Sequence, residues 1–249
     1  MIPIVDCNWH PDVAVSGSAV VHVLKCIYIQ PEMEASLAAA DLEKVRDFAL
    51  TPGLGGLPQG IVTWCDLSPE AIERLSNTSY VLGLNIRAYT IELLNRCLEA
   101  VKRKNQTLDL DLSGSQLAQV VQAVSMYPDV PIVLDFSKLG FKDKTLLQNR
   151  YQEILEHFHS LENVCIKITG IDPVFYSDSD SEIETNHLIK NIVNFWGADR
   201  VMLGSHSVDS VADESFDQLW MRYGQETLFL PARERESLLR SNAIRVYGL

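Results

Sequence analysis

Eight short apolar runs, each rich in β-branched residues and most of them followed by an amphipathic stretch, limit what this chain can fold into. The runs fall at 2–6, 22–29, 59–65, 80–86, 107–112, 130–135, 163–168 and 200–204. Runs that are apolar on both faces suit the buried strands of a parallel sheet. Between them lie helix-like stretches at 33–50, 69–76, 90–104, 115–126, 144–160, 183–196 and 211–223. A last helix is expected at 231–247, where Leu238, Leu239, Ala243 and Val246 recur at helical spacing. Ser68-Pro69-Glu70 places a cap residue before a proline at the first helical position. Ser113 caps the 115–126 stretch in the same way. Eight strands alternating with helices over 249 residues predict an α/β protein with a single (β/α)8 TIM barrel spanning 1–249. The segment 7–20 is too irregular to supply a regular first helix.

Hydrophobic residues make up 47% and charged residues 22%, the balance of a soluble globular protein. No apolar run approaches the roughly 20 residues of a membrane helix, and the N-terminus lacks a basic region followed by an apolar one. A cytoplasmic protein without a membrane partner is therefore expected. A formal net charge of −12 argues against nucleic acid, whose non-specific binding needs excess Lys and Arg. Lys102-Arg103-Lys104 closes a helical stretch, where cations complement the helix dipole. The five cysteines (Cys7, Cys26, Cys65, Cys97 and Cys165) are widely spaced and read as buried free thiols in a reducing compartment. Ser177-Asp178-Ser179-Asp180-Ser181-Glu182 reads as a solvated loop whose position also suits a lid. The sequence leaves a homo-oligomer open.

Several runs together resemble the amidohydrolase-related metal-dependent hydrolases, which are TIM barrels. Gly60 through Leu67 is similar to that family's third strand, and Gly83-Leu84-Asn85-Ile86-Arg87 to its Gly-x-Arg strand. Pro131-Ile132-Val133-Leu134-Asp135-Phe136 resembles the strand that normally ends Leu-Asp-His. Asn163 through Gly170 is close to Asn-Val-x-x-Lys-x-Ser-Gly, and Arg233 through Leu249 resembles the terminal helix. The first strand of the family ends in His-x-His and the eighth in Gly-Ser-Asp. Here Asp6-Cys7-Asn8-Trp9-His10 and Gly204-Ser205-His206 occupy those places. Asn8 thus stands for one metal-binding histidine, Phe136 for another, and His206 for the aspartate that binds metal or activates water. Catalytic zinc sites typically use three protein ligands, and His10 and His206 supply two at most. The expectation is no tightly held metal cofactor and no metal-ligand set. A further reading keeps a hydrolase or decarboxylase with a loosely held zinc or manganese ion.

Residues two apart on a strand share a face. If Asn8 faces inward, Asp6 and His10 follow, and Asn85 pairs with Arg87, Asp109 with Asp111, and Lys167 with Thr169. The predicted pocket holds two imidazoles, an arginine, a lysine and an apolar wall, which suits a small anionic substrate. The resemblance extends to lactonases that open pyrone dicarboxylates without metal. It implies hydrolysis of a small acidic lactone or related cyclic ester. His206, His10 and Lys167 would be catalytic, and Asn8, Arg87, Asn85 and Phe136 would bind substrate. Lys167 could equally form an interior ion pair with Asp109 or Asp111. The alternative is a catalytically retired barrel that binds a ligand or a partner. His22, His157, His159 and His187 read as surface residues, and Trp9, Trp64, Trp196 and Trp220 as packing.

Overall fold

The computed structural model describes residues 2–9, 21–30, 47, 60–65, 68–78, 80–87, 90–112, 117–135, 152–169, 186–205 and 215–249. Eight strands form one parallel sheet in the order of the sequence: β1 Ile2–Trp9, β2 Val21–Ile29, β3 Gly60–Trp64, β4 Val81–Ile86, β5 Thr107–Leu110, β6 Ile132–Asp135, β7 Val164–Thr169 and β8 Val201–Gly204. The helices are α1 Pro69–Ser76, α2 Ile91–Lys104, α3 Leu117–Ser125, α4 at 152–158, α5 Asn186–Trp196 and α6 Phe216–Glu226. A terminal helix then runs through α7 Ala232–Glu236, a π-helical turn at Ser237–Ser241 and α8 Asn242–Tyr247. This is a nearly closed (β/α)8 barrel. The expected helix at 33–50 apart from residue 47, the Ser113 cap, the Ser177–Glu182 loop and most of the segment 7–20 lie outside the described residues.

Local chemistry sets the element ends. Ser68 accepts from the Ala71 N–H with Pro69 at the first helical position, as its sequence predicts. Thr90 caps α2, and Asn105 ends it in the left-handed conformation at φ 54°. The expected helix at 211–223 begins instead at Phe216, because Ser215 and Gln218 form a reciprocal capping box.

The strands separate two apolar layers. Ile4, Cys26, Ile61, Leu84, Leu108, Ile132, Ile166 and Leu203 pack with the helices. Their neighbours Val5, Ile27, Val62, Val133, Cys165 and Met202 pack instead with Ala243, Val246 and Tyr247 of the terminal helix. These form the barrel lumen, and the terminal helix covers it at the N-terminal ends of the strands. Asn242 Nδ2 pins the helix there, donating to the carbonyls of Ala198 and Val201, both at 2.8 Å. The π-helical turn lies where the helix passes from the outer layer (Leu238, Leu239) to the lumen (Ala243, Val246).

All five cysteines are free and buried, as expected. Burial pushes the Cys7 and Cys26 thiols well above their ordinary value of 9.0, and burial raises Cys165 too. Cys97 is raised first by its hydrogen bond with Cys65, then by burial. The folded chain therefore keeps thiol protons that the unfolded chain releases above pH ~9, so stability falls as pH rises past that point. Tyr247, raised above 10.0 by burial, acts in the same direction. Melting temperature should fall markedly between pH 8 and pH 10, and at pH 8 the native thiols should not react with a disulfide reagent. Rapid labelling of the native protein would contradict this packing.

Candidate functional site

The lumen is polar toward the C-terminal ends of the strands. Alternation puts Asn85 and Arg87 on the inner face of β4 and just past it, Asp109 and Asp111 on β5, Asp135 on β6, and Lys167 and Thr169 on β7. Each alternates with an outer-layer residue (Leu84, Ile86, Leu108, Leu110, Leu134, Ile166, Ile168). The spacing argument holds for all of these.

On β1 it fails. The β1–β2 register shifts between Asp6 and Trp9. Val5 and Cys7 face the lumen, whereas Trp9 packs in the outer layer. A Cβ added at Gly204, which shares the inner face with Met202, would lie 3.0 Å from Asn8 Cβ and 3.1 Å from Cys7 Sγ. Two successive residues, Cys7 and Asn8, are thus turned toward the inner face of β8. Asp6 does not share that face, contrary to the alternation expected from Asn8; the slip accounts for the difference.

Asp6 instead joins β1 to β8, between which no strand pairing occurs among the described residues. Ser205 N–H donates to Asp6 Oδ1 at 2.8 Å, Asn8 N–H donates to the same oxygen at 3.1 Å, and Ser205 Oγ lies 2.6 Å from Asp6 Oδ2. Asn8 Nδ2 donates to the Ser205 carbonyl at 2.9 Å, and Cys7 Sγ to the Leu203 carbonyl at 3.2 Å. Burial raises the Asp6 carboxyl above its ordinary value, against the bonds from Ser205 and Asn8 that pull it down. Ser205 Oγ, which donates to Asp6 Oδ2, also lies 3.4 Å from the Asn8 carbonyl. Asn8 is 6% exposed, and its Oδ1 has no hydrogen-bond partner.

Lys167 is fully buried beneath this level. Its ammonium donates to Asp109 Oδ2 at 2.8 Å and lies 3.8 Å from Asp135 Oδ2. The interior ion pair with Asp109, one of the two partners considered, is therefore present. Tyr247 reaches the same carboxylate from the terminal helix, its hydroxyl 3.2 Å from Asp109 Oδ2. Thr169 Oγ1 donates to Asp135 Oδ1 at 2.9 Å. Burial alone would lower the lysine, but Asp109 and then Asp135 outweigh it and hold the ammonium above its ordinary value. Direct contact with a substrate would take this ammonium away from both carboxylates.

Arg87 Nε binds Asp111 Oδ2, and the arginine side chain is 43% exposed. Asn85 Nδ2 donates to the Gln30 carbonyl at 3.1 Å, and Gln30 Oε1 accepts from Thr63 Oγ1 at 2.6 Å. His10, Phe136 and His206 lie outside the described residues. The sequence reading did not single out Ser205, Gln30 or Tyr247 as site-forming. Their roles depend on partners far along the chain, such as Asp6 and Ser205, 199 positions apart. His22, His157 and His159 are exposed, as expected. Trp9, Trp196 and Trp220 are packed in the core.

A divalent ion would find the described carboxylates engaged. Asp6 accepts from Ser205 and Asn8, Asp109 and Asp135 surround an ammonium, and Asp111 holds Arg87. Among the described residues, no group of three His, Cys, Asp or Glu is placed to hold a metal. These described residues do not fit a metal site.

Asp6→Ala should leave the Ser205 and Asn8 N–H groups without their acceptor, at about 1–3 kcal/mol for each. Asp6→Asn should be far milder, because its Oδ1 can take both N–H groups while Nδ2 faces Ser205 Oγ. Lys167→Met should cost about 3–5 kcal/mol, comparable to Asp6→Ala, by stranding buried carboxylates. Urea unfolding of the three variants gives the order; equal losses for Asp6→Asn and Asp6→Ala would refute this account of the seam.

Comparison with known proteins agrees with the architecture. The chain is similar to an amidohydrolase from Burkholderia multivorans with bound zinc, at TM-score 0.72 and 20% identity over 90% of this chain and 83% of that one. An amidohydrolase 2 from Bifidobacterium longum subsp. infantis aligns over 100% of this chain and 99% of its own, at TM-score 0.65 and 17% identity. A probable 2-pyrone-4,6-dicarboxylic acid hydrolase from Acinetobacter baumannii, with citric acid bound, aligns at TM-score 0.68 and 15% identity over 90% of this chain and 84% of that one. At these identities the likeness concerns the fold. No curated protein matches the chain. The amidohydrolase family model matches residues 62–249, from β3 through the terminal helix. The chain belongs to the amidohydrolase family.

Proposed function

We propose that this protein hydrolyses a small cyclic ester, an acidic lactone being the substrate class, without a tightly bound metal. The observation that supports this reading is the seam. Asn8 and Ser205 are bonded at 2.9 Å, and the chain reaches His10 two residues after one and His206 directly after the other. The seam thus joins the C-terminal ends of β1 and β8, at the face where barrel enzymes carry their chemistry.

In this reading His206, with an unperturbed pKa of about 6.5, takes a proton from a water as its oxygen attacks the lactone carbonyl. His10 donates to the developing oxyanion. The ring C–O bond then breaks, and the proton on His206 passes to the departing alkoxide. Arg87, oriented by Asp111 and partly exposed, receives a substrate carboxylate. Asn8, Asn85 and Phe136 line the substrate. Lys167 acts from beneath, through Asp109 and Asp135, and not by contact. The related hydrolase from A. baumannii lends the substrate class by analogy only.

One observation favours the second reading, a barrel that binds without turnover: Arg87 and Lys167 both already have carboxylate partners. Turnover of a broad lactone panel separates the two. The wild type should open at least one acidic lactone after dialysis against a chelator, and His206→Asn should slow it ~10²–10⁴-fold. Activity that is lost to the chelator and restored by zinc or manganese would refute the metal-independent route. Silence across the whole panel would leave the binding protein.

A further inference from the structure

The seam leaves one polar atom unaccounted for. Asn8 is 6% exposed, and its amide cannot be turned over without cost, because Nδ2 donates to the Ser205 carbonyl at 2.9 Å. In that orientation Oδ1 is buried and accepts nothing. Buried polar atoms are nearly always satisfied, and an exception calls for a missing group. The missing group must be a donor, since an amide oxygen can only accept.

The surroundings narrow what kind of donor it is. The nearby acceptors are taken: Asp6 Oδ1 by two N–H groups, Asp6 Oδ2 by Ser205 Oγ, and the Ser205 carbonyl by Asn8 itself. A lone buried water needs two to four polar partners of its own. A hydroxyl carried on a ring needs only one, because the rest of the ligand holds it in place. A neutral amide oxygen also suits a neutral donor, whereas a cation would be drawn to the carboxylates of Asp6, Asp111 and Asp135 instead.

We infer that Asn8 Oδ1 is a specificity element that accepts a hydrogen bond from a ring hydroxyl of the ligand, so the site prefers a hydroxylated lactone to its deoxy parent. The inference deepens the lactonase reading, but its test does not depend on turnover. The slip in β1 is what places the atom: without it, strict alternation would put Asp6 and Asn8 on the same face. Gly204 permits the close approach, because a side chain there would press on Asn8 Cβ and N at 3.0 Å.

Five-membered lactams serve as non-hydrolysed probes. Binding of pyrrolidin-2-one, 3-hydroxypyrrolidin-2-one and 4-hydroxypyrrolidin-2-one to the full chain is measured by ligand-observed NMR titration. At least one hydroxylated lactam should bind the wild type about tenfold more tightly than the parent, a ratio equivalent to about 1.4 kcal/mol. Asn8→Leu should bring that ratio close to one, and Asn8→Asp, which keeps an acceptor, should restore part of it. The wild-type comparison needs no variant, so a poorly folded Asn8→Leu does not blunt the test. Equal binding of all three lactams, no binding of any, or a preference that survives in folded Asn8→Leu would each overturn the inference. Lactone turnover without hydroxyl preference would sink this inference and keep the hydrolase. Hydroxyl preference without turnover would do the reverse.

Discussion

A barrel has to join its first strand to its last, and here a buried carboxyl group makes that join. Ordinary ladder bonds hold the other seven strand pairs. Between β1 and β8, Asp6 gathers the backbone and hydroxyl of Ser205 and the backbone of Asn8 onto two oxygens. The glycine before Ser205 lets the strands approach, and the slip in β1 follows from the same contact, since Asn8 must turn inward while Asp6 stays at the seam. The geometry at this end of the barrel is thus inherited from a structural requirement. The residue that closes the barrel also decides how Asn8 is presented.

The second constraint is charge. A lumen with Asp109 and Asp135 on its walls is tolerable only because Lys167 sits between them, and Tyr247 adds a donor from below. Lys167 is in this way a buried ion-pair member in the wall of the lumen. The same cluster ties the terminal helix to the centre of the sheet, so the lumen's polar layer and its apolar plug hold each other in place. Charges that first suggest affinity for an anion are largely engaged with one another, and Arg87 is left as the partly exposed member.

Much of this was legible in the sequence because it is local. Strand positions followed from apolar β-branched runs, and the boundaries agreed within a few residues. Alternation assigned Asn85, Arg87, Asp109, Asp111, Lys167 and Thr169 to one face, since period two needs no knowledge of neighbours. The start of α6 was missed because Ser215 and Gln218 fix it by a two-way bond that apolar periodicity does not register. Asp6 was misplaced for a different reason. At the register slip it bonds to Ser205, nearly the whole chain away, and no local pattern encodes such a partner. The involvement of Gln30 and Tyr247 is of the same long-range kind.

That distance bears on how the molecule is made. The bonds that close the seam link residues 196 to 199 positions apart, and the bond from Tyr247 to Asp109 spans 138. Contacts of such separation carry a large loop-closure cost and form late. Until the terminal helix docks, a growing chain holds an open sheet with two bare edges and an uncovered lumen. Exposed parallel edges are where chains pair with one another. Synthesis therefore passes through an aggregation-prone interval that ends only when the last two turns are in place, and a chaperone that shields open sheets should matter more to its yield than to its final stability.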